Sequence, residues 1–443
     1  MASEVPEDIL MQVFAALDVP DLVRAGSVCS AWHDAYTSLC DLGRWKQPQT
    51  PCLLYTAKSR GESAGCLYSL AEKKPYTLAL PDPPIRSRHF LGSAYGWIIA
   101  ADERSELHLL NPITGDQIAL PSITTFEYVT PVYDENGAAK EYSSYDAIPG
   151  PDGPWTYGLR KLRDEFFLKV FLSSDPSTGD YIVAAIHNPY FRLSFARNGD
   201  DCWTPLPPHN FFGDCVFKDG LMYAATTKGA IHVFDFSGPA VKQKVVLGET
   251  RDYSFQRVNI VQTPCGDLLQ VWSHIDRKPD DESELDPLEE DDDFSDPELP
   301  FENQTVCLNA QGHPQLKANH IYFTDNDEYV TVRKKMIRDI GVLSLCDDSK
   351  EKIASPQIWS NWPSPIWITP NPRRMKSARC RSIEGTVGIL SPGFSTARSS
   401  GVLGSVTVLW AHQVHLGSAP ELAAQSVAIL WAASHRLLRS WLD

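Results

Sequence analysis

The chain of 443 residues is 43% hydrophobic and 10% aromatic, enough to bury a large core and to build one small and one large folded unit. Its net charge of −16 is mostly local: residues 280–298 carry twelve acids and no base, and without them the balance is about −4, so no basic surface is available for a nucleic-acid backbone. The ten cysteines are scattered without metal-ligand spacing, so neither zinc nor any other cofactor is expected.

The opening residues, Met-Ala-Ser-Glu-Val-Pro-Glu-Asp, have no basic or apolar leader character, and no later stretch suits a hydrocarbon core. Cytosol or nucleus is the expected setting, with no membrane association.

Residues 5–40 carry the one strong helical pattern of the first 370. Pro6 suits a first helical position, and Glu7 and Asp8 favour the positive end of a helix dipole. Ile9, Leu10, Val13, Phe14 and Leu17 then form an apolar stripe. Asp18-Val19-Pro20 ends that helix. A second begins at Asp21 with Leu22 and Val23 and is interrupted at Gly26, and a third carries Val28, Cys29, Trp32, Ala35, Tyr36 and Leu39. So small a unit with this many large apolar residues requires a partner surface.

After Trp45, turn residues punctuate short apolar runs, which is an all-β pattern. Gly96 to Asn111 aligns without gaps to Gly220 to Asp235, each copy reading strand, turn, strand. Related stretches begin at Gly179 and Gly266. The intervals 179 to 220 and 220 to 266 are 41 and 46 residues, and the 83 residues from 96 to 179 read as two such units. That period predicts a β-propeller of six or seven blades. His108 and His232 recur at equivalent repeat positions, which favours a structural role over metal binding.

The acidic run, within a disordered insertion at 278–300, reads as a solvated loop. Ser283 and Ser295 each have an acid three residues on and are candidate phosphorylation sites, although an inert loop is the stronger reading. Residues 373–443 hold eight bases against three acids and form an atypical tail, irregular or helical, with an apolar helix expected over Leu422 to Leu442. The basic cluster Arg373, Arg374, Lys376, Arg379 and Arg381 only weakly suggests a nuclear signal.

Two resemblances add to this. Val-Pro-Glu-Asp-Ile-Leu-Met-Gln-Val-Phe, then Pro-Asp-Leu-Val-Arg, then Val-Cys-Ser-Ala-Trp-His resembles an F-box, the motif that binds the Skp-type adaptor of cullin–RING ubiquitin ligases. By that resemblance Val5, Pro6, Ile9, Leu10, Val13, Phe14, Leu22, Val28, Cys29 and Trp32 would face the adaptor, part of the set being internal core. The segments at 314–325, from Arg338, and Trp359 to Pro370 resemble plant F-box proteins whose C-terminal part is catalogued as domain of unknown function 295, or KIB-type. That likeness covers about residues 3–372. It departs after the acidic run, where strands the family carries are missing and one blade is left short.

The expected organisation is α+β multidomain: a three-helix F-box (1–44), an all-β propeller (45–372) and the tail (373–443). No Walker, His-Glu-x-x-His or Rossmann pattern is present. The implied role is a non-catalytic substrate adaptor of an SCF-type ligase, the propeller holding an unknown target protein. A propeller that binds proteins without a ligase is the alternative, and a propeller enzyme the third reading.

Overall fold

The computed structural model describes residues 5–44, 49–144, 155–208, 210–250, 256–263, 266–274, 306–309, 316–318, 320–324, 340–344, 349–354, 357–375, 409–414 and 426–429. The acidic insertion with Ser283 and Ser295 lies outside the described residues, as do Lys376, Arg379 and Arg381.

Three short helices open the chain: α1 (Glu7–Phe14), α2 (Val19–Gly26) and α3 (Ser30–Leu42). Pro6 stands one position before α1 rather than inside it, and its carbonyl accepts the Ile9 and Leu10 N–H groups at 3.1 Å each. α2 begins at Val19, two residues earlier than expected, because Pro20 is tolerated in a first turn whose N–H groups have no intrahelical partner. Val28 and Cys29 precede α3 instead of lying on it. Gly26 ends α2 where only hydrogen fits, since a Cβ there would lie 2.7 Å from the Tyr36 ring. Leu10, Phe14, Leu22, Ala25, Ala35 and Leu39 form the buried core of this unit.

Among the described residues the rest is a propeller of six blades, the lower of the two counts the repeat allowed. Blade 1 comprises Cys52–Thr56, Ala64–Ser69 and Lys74–Ala79, with Ile366–Ile368 added as its first strand. The register of that closure is Cys52↔Ile368, Leu53↔Trp367 and Leu54↔Ile366. Blade 2 (His89–Ala94, Trp97–Ala101, Leu107–Leu110, Gln117–Ala119), blade 3 (Phe167–Leu172, Ile182–His187, Arg192–Arg197, Thr204–Leu206) and blade 4 (Phe212–Lys218, Leu221–Thr226, Ile231–Asp235, Lys242–Leu247) are four-stranded antiparallel sheets. The aligned repeats fall on the second and third strands of blades 2 and 4. Gly96 and Gly220 supply the left-handed backbone of the preceding turns, at φ +83° and +77°.

The 83-residue interval is one blade step, not two. Between blades 2 and 3 the chain makes a separate three-stranded sheet (Val129–Tyr133, Ala139–Ser144, Trp155–Gly158) and α4 (Leu159–Phe166), which leads directly into blade 3. Turn spacing alone does not separate an inserted hairpin from a blade.

Blade 5 pairs Gln256–Gln262 with Leu268–His274, and blade 6 contains Val306–Asn309, His320–Thr324, Ile340–Ser344 and Lys350–Lys352. Two tail strands complete them. Leu409–Val414 pairs with Leu268–Ser273, and Ser426–Ile429 pairs antiparallel with Val306–Asn309 and parallel with the His320–Thr324 strand. The helix expected over Leu422 to Leu442 is therefore wrong at Ser426–Ile429. Open sheet edges offer unpaired backbone groups, and pairing with them outweighs an intrinsic preference for helix.

The apolar clusters lie between blades rather than within them. One joins blades 1, 2 and 6, another blades 2 and 3, another blades 3 and 4, and another blades 4 and 5. A single blade exposes both faces, so each is stable only against its neighbours.

Near the axis the packing becomes polar. The first strands of blades 2, 3 and 4 each shift register, at Phe90/Gly92, Phe167/Lys169 and Phe212/Asp214. At Gly92 a Cβ would lie 2.4 Å from the Val170 carbonyl, so the strands can approach only there without a side chain. In blade 3 the Lys169 Nζ donates to Asp214 Oδ1 of blade 4 (3.2 Å) and to Asn259 Oδ1 of blade 5 (3.0 Å), while Asp214 Oδ2 accepts the Ile260 N–H at 2.8 Å. All three side chains are buried. Burial pushes the Asp214 carboxyl above its usual range, and Lys169 offsets part of that shift.

Removing one partner of such a pair leaves an uncompensated charge. Lys169→Met should cost about 3–5 kcal/mol by denaturant unfolding, and Lys169→Met/Asp214→Leu should recover part of it. A raised carboxyl favours the protonated form in the folded state, so the single variant should regain stability as pH falls and lose it as pH rises. A wild-type midpoint for the single variant would refute this account of the axis.

Candidate partner-binding surface

The ten residues expected to face an adaptor divide into two sets. On α1, Leu10 and Phe14 point inward at 5% and 1% exposure, while Ile9 and Val13, one position before each, stand 44% and 54% exposed. Each pair is spaced i, i+4, so one helix presents two adjacent apolar faces. Leu22 is buried, and Trp32 is half-buried with its ring 5.3 Å from that of Phe14. Val5, Pro6, Val28 and Cys29 are exposed. The set is thus part core (Leu10, Phe14, Leu22, with Trp32 at its edge) and part open surface (Val5, Pro6, Ile9, Val13, Val28, Cys29).

Eleven large hydrophobic residues are exposed among the described residues, and five of them, Val5, Ile9, Val13, Val28 and Leu42, lie in the first 44. Single exposed apolar side chains are ordinary, but this density on about a tenth of the chain marks a contact surface. Leu42 was not anticipated.

This unit is held to the propeller by contacts that no short-range pattern announces. Gln49 Oε1 accepts the Val19 N–H at 2.9 Å, and its Nε2 donates to the Leu17 carbonyl at 3.4 Å. Arg24 of α2 pairs with Glu72 at 3.3 Å in the turn between the last two strands of blade 1, and also contacts Asp21 and the Tyr76 hydroxyl. Burial would push the Glu72 carboxyl up, but Lys74, Tyr76 and Arg24 together hold it below its usual range.

After the closing strand, residues 371–375 run back beneath the helices as a strap. Asn371 Nδ2 donates to the Tyr95 carbonyl (2.8 Å) and to Asp175 Oδ2 (3.1 Å), Asn111 Nδ2 donates to the Asn371 carbonyl (2.8 Å), and the Met375 N–H reaches Asp116 Oδ2 (3.1 Å). Arg373 packs on Gly43 at the end of α3, and the Arg374 guanidinium lies 5.8 Å from the Tyr36 ring. The two arginines read as part of a basic cluster thus serve an internal joint.

Of the two histidines at equivalent repeat positions, His232 is tied into its blade by hydrogen bonds. His232 is buried and hydrogen-bonds through Nε2 to the Asn210 carboxamide (3.0 Å) and through Nδ1 to the Gln243 carboxamide (2.8 Å). Burial lowers the pKa of both His108 and His232. Among the described residues no group of three or more His, Cys, Asp or Glu could hold a metal ion, and no helix is long and apolar enough to cross a membrane.

The family model described as KIB1-4 beta-propeller matches residues 67–344, and an F-box-like model matches residues 2–40. The chain belongs to the KIB1-4 beta-propeller family. Among its Arabidopsis thaliana relatives, F-box only protein 7 is 26% identical over 60% of this chain and 65% of its own length. F-box protein KIB4 is 26% identical over 60% of this chain and 67% of its own, and F-box protein KIB3 is 25% identical over 52% and 47%. The chain therefore spans roughly half to two thirds of these relatives. The likeness to plant F-box proteins with a KIB-type propeller stands, and it accounts for helices α1–α3 preceding the six blades.

The joint ranks its own members. Gln49→Ala strands the buried Val19 N–H and should cost about 1–3 kcal/mol, whereas Arg24→Ala removes a largely exposed ion pair and should cost less than about 1 kcal/mol. Denaturant unfolding of the two variants gives the order, and equal losses would contradict it.

Proposed function

We propose that this KIB1-4 family protein is the substrate-recognition subunit of an SCF-type cullin–RING ubiquitin ligase. The apolar residues Val5, Ile9, Val13 and Val28, with Pro6 and Cys29 beside them, bind a Skp-type adaptor, and the propeller holds a target protein. The observation that carries this reading is the exposed face of α1, which stays open although its neighbouring face already fills the unit's own core. A local helical core sealed against the propeller would have buried Ile9 and Val13 as well.

In this role the chain performs no covalent chemistry of its own. It acts by proximity: a target tethered beside a charged ubiquitin-conjugating enzyme presents its lysines at a high effective concentration. Cytosol or nucleus is the compartment in which such a complex would work, and neither nucleic acid nor membrane is a partner in this reading.

The test is co-purification. Ile9→Asp and Val13→Asp place charges on surface already exposed, so each should leave the thermal midpoint of the full chain within about 2 °C, a surface-substitution effect. Each should abolish recovery with a Skp-type adaptor, because an unpaired charge would be buried at the contact. Phe14→Ala should instead lower stability by about 3–5 kcal/mol through a core cavity. Adaptor binding retained in both aspartate variants would favour a propeller that binds its partners outside any ligase.

A further inference from the structure

The ends of the blades divide between two faces. The turn between the third and fourth strands of blade 1 touches α2, and the turns between the first and second strands of blades 2 and 3 carry Tyr95 and Asp175, which hold the strap. The connection between the second and third strands of blade 3, Asn188 to Phe191, and the one entering blade 4 at Phe211 therefore lie on the opposite face, away from the helices.

On that face Tyr190 and Phe191 both adopt left-handed backbone, at φ +65° and +53°. Turns of this kind ordinarily place Gly or Asn there, and a bulky residue in this region is an outlier. Such strain persists where surrounding contacts enforce it, and it concentrates at sites kept for something other than stability. Here the Phe191 carbonyl accepts the Phe212 N–H at 3.0 Å, locking the turn to blade 4. The result is an aromatic ledge: the Phe211 ring lies 6.0 Å from Tyr190 and 5.7 Å from Phe191. Phe211 is 48% exposed and joins none of the interblade clusters.

The ledge already accommodates one cation. The Arg192 guanidinium sits 4.3 Å from the Tyr128 ring and 5.9 Å from the Tyr190 ring, while itself buried. A carboxylate flanks it: Glu127 is 3.9 Å from Arg192 and half exposed. An exposed ring face beside a carboxylate attracts cationic side chains and repels acidic ones.

We propose that the Tyr190–Phe211 ledge, with Glu127 beside it, is a docking site for a lysine- or arginine-bearing segment of the target protein. Naming the target as the source rests on the adaptor reading, whereas the preference for a cation does not.

The experiment titrates the full chain with the acetylated, amidated peptide Lys-Ala-Lys-Ala-Lys-Ala and with its glutamate counterpart, by calorimetry at two salt concentrations. The lysine peptide should bind, more weakly at high salt, and the glutamate peptide should not. Phe211→Leu keeps net charge and apolar bulk but removes the ring, and should weaken binding roughly three- to fivefold, the scale of an exposed cation–π contact. Phe211→Trp should restore or strengthen it, and Glu127→Gln should weaken it further at low salt than at high. Thermal midpoints and adaptor recovery, followed in the same variants, should not move, which separates this proposal from the ligase reading. If Phe211→Leu binds the lysine peptide as wild type does, attraction resides elsewhere on the acidic chain and the ledge is not the site. Equal binding of the glutamate peptide would also overturn it.

Discussion

The three-residue pairing of Ile366–Ile368 with Cys52–Leu54 is the constraint on which the rest depends. Six sheets that bury their faces only against one another cannot leave two of them unmatched, so strands from before and after the other blades must meet within one blade. Once they do, the strand immediately after α3 lies beside the strand that ends at Ile368. The residues that follow have nowhere to run except beneath the helices. Asn371 then bridges Tyr95, Asn111 and Asp175, and Arg373 and Arg374 reach Gly43 and Tyr36. The position of α1–α3 is thus a consequence of ring closure, refined by Gln49 and Arg24.

What the sequence made legible was what short range decides. The stripe from Ile9 to Leu17, the Gly96 and Gly220 turns and the twin copies that follow them depend on neighbours a few residues away, and each was readable. Even there, i, i+4 spacing could not say which apolar face of α1 turns inward, because Ile9/Val13 and Leu10/Phe14 satisfy it equally. What failed was long range. The inserted sheet at 129–158 shares turn chemistry with a blade, so spacing counted it as one. The Lys169–Asp214–Asn259 triad and the Asn371 strap join residues 45 to 276 positions apart, and a polar residue alone in a strand announces no partner. In the tail, Ser426–Ile429 is a strand because the Val306–Asn309 and His320–Thr324 strands of blade 6 leave backbone groups between them for it to pair with, a circumstance external to its own composition.

Polar burial and apolar exposure occupy opposite ends of the design. Near the axis, where first strands crowd together, a lysine, an aspartate and an asparagine satisfy one another and fix three blades in register. The desolvation of such a group is large and is offset only by its full set of partners. On α1 the reverse holds: leaving Ile9 and Val13 half exposed forgoes on the order of 1 kcal/mol for each side chain, which a second surface can recover. The axis is closed chemistry, complete within the chain, and α1 leaves an apolar face without a partner among the described residues.

The turns carry the same distinction between geometry and recognition. On the face toward the helices, left-handed backbone falls on Tyr95-Gly96 and Asp219-Gly220, where glycine takes the second position and little but chain reversal is required. On the far face, Tyr190 and Phe191 hold the same region of conformational space with two aromatic rings and no glycine. If reversal were the whole task, glycine or asparagine would perform it with less strain. Rings retained at that cost, and aligned with a half-exposed Phe211, set this turn apart from its counterpart in blade 4, where Gly229 takes the left-handed position.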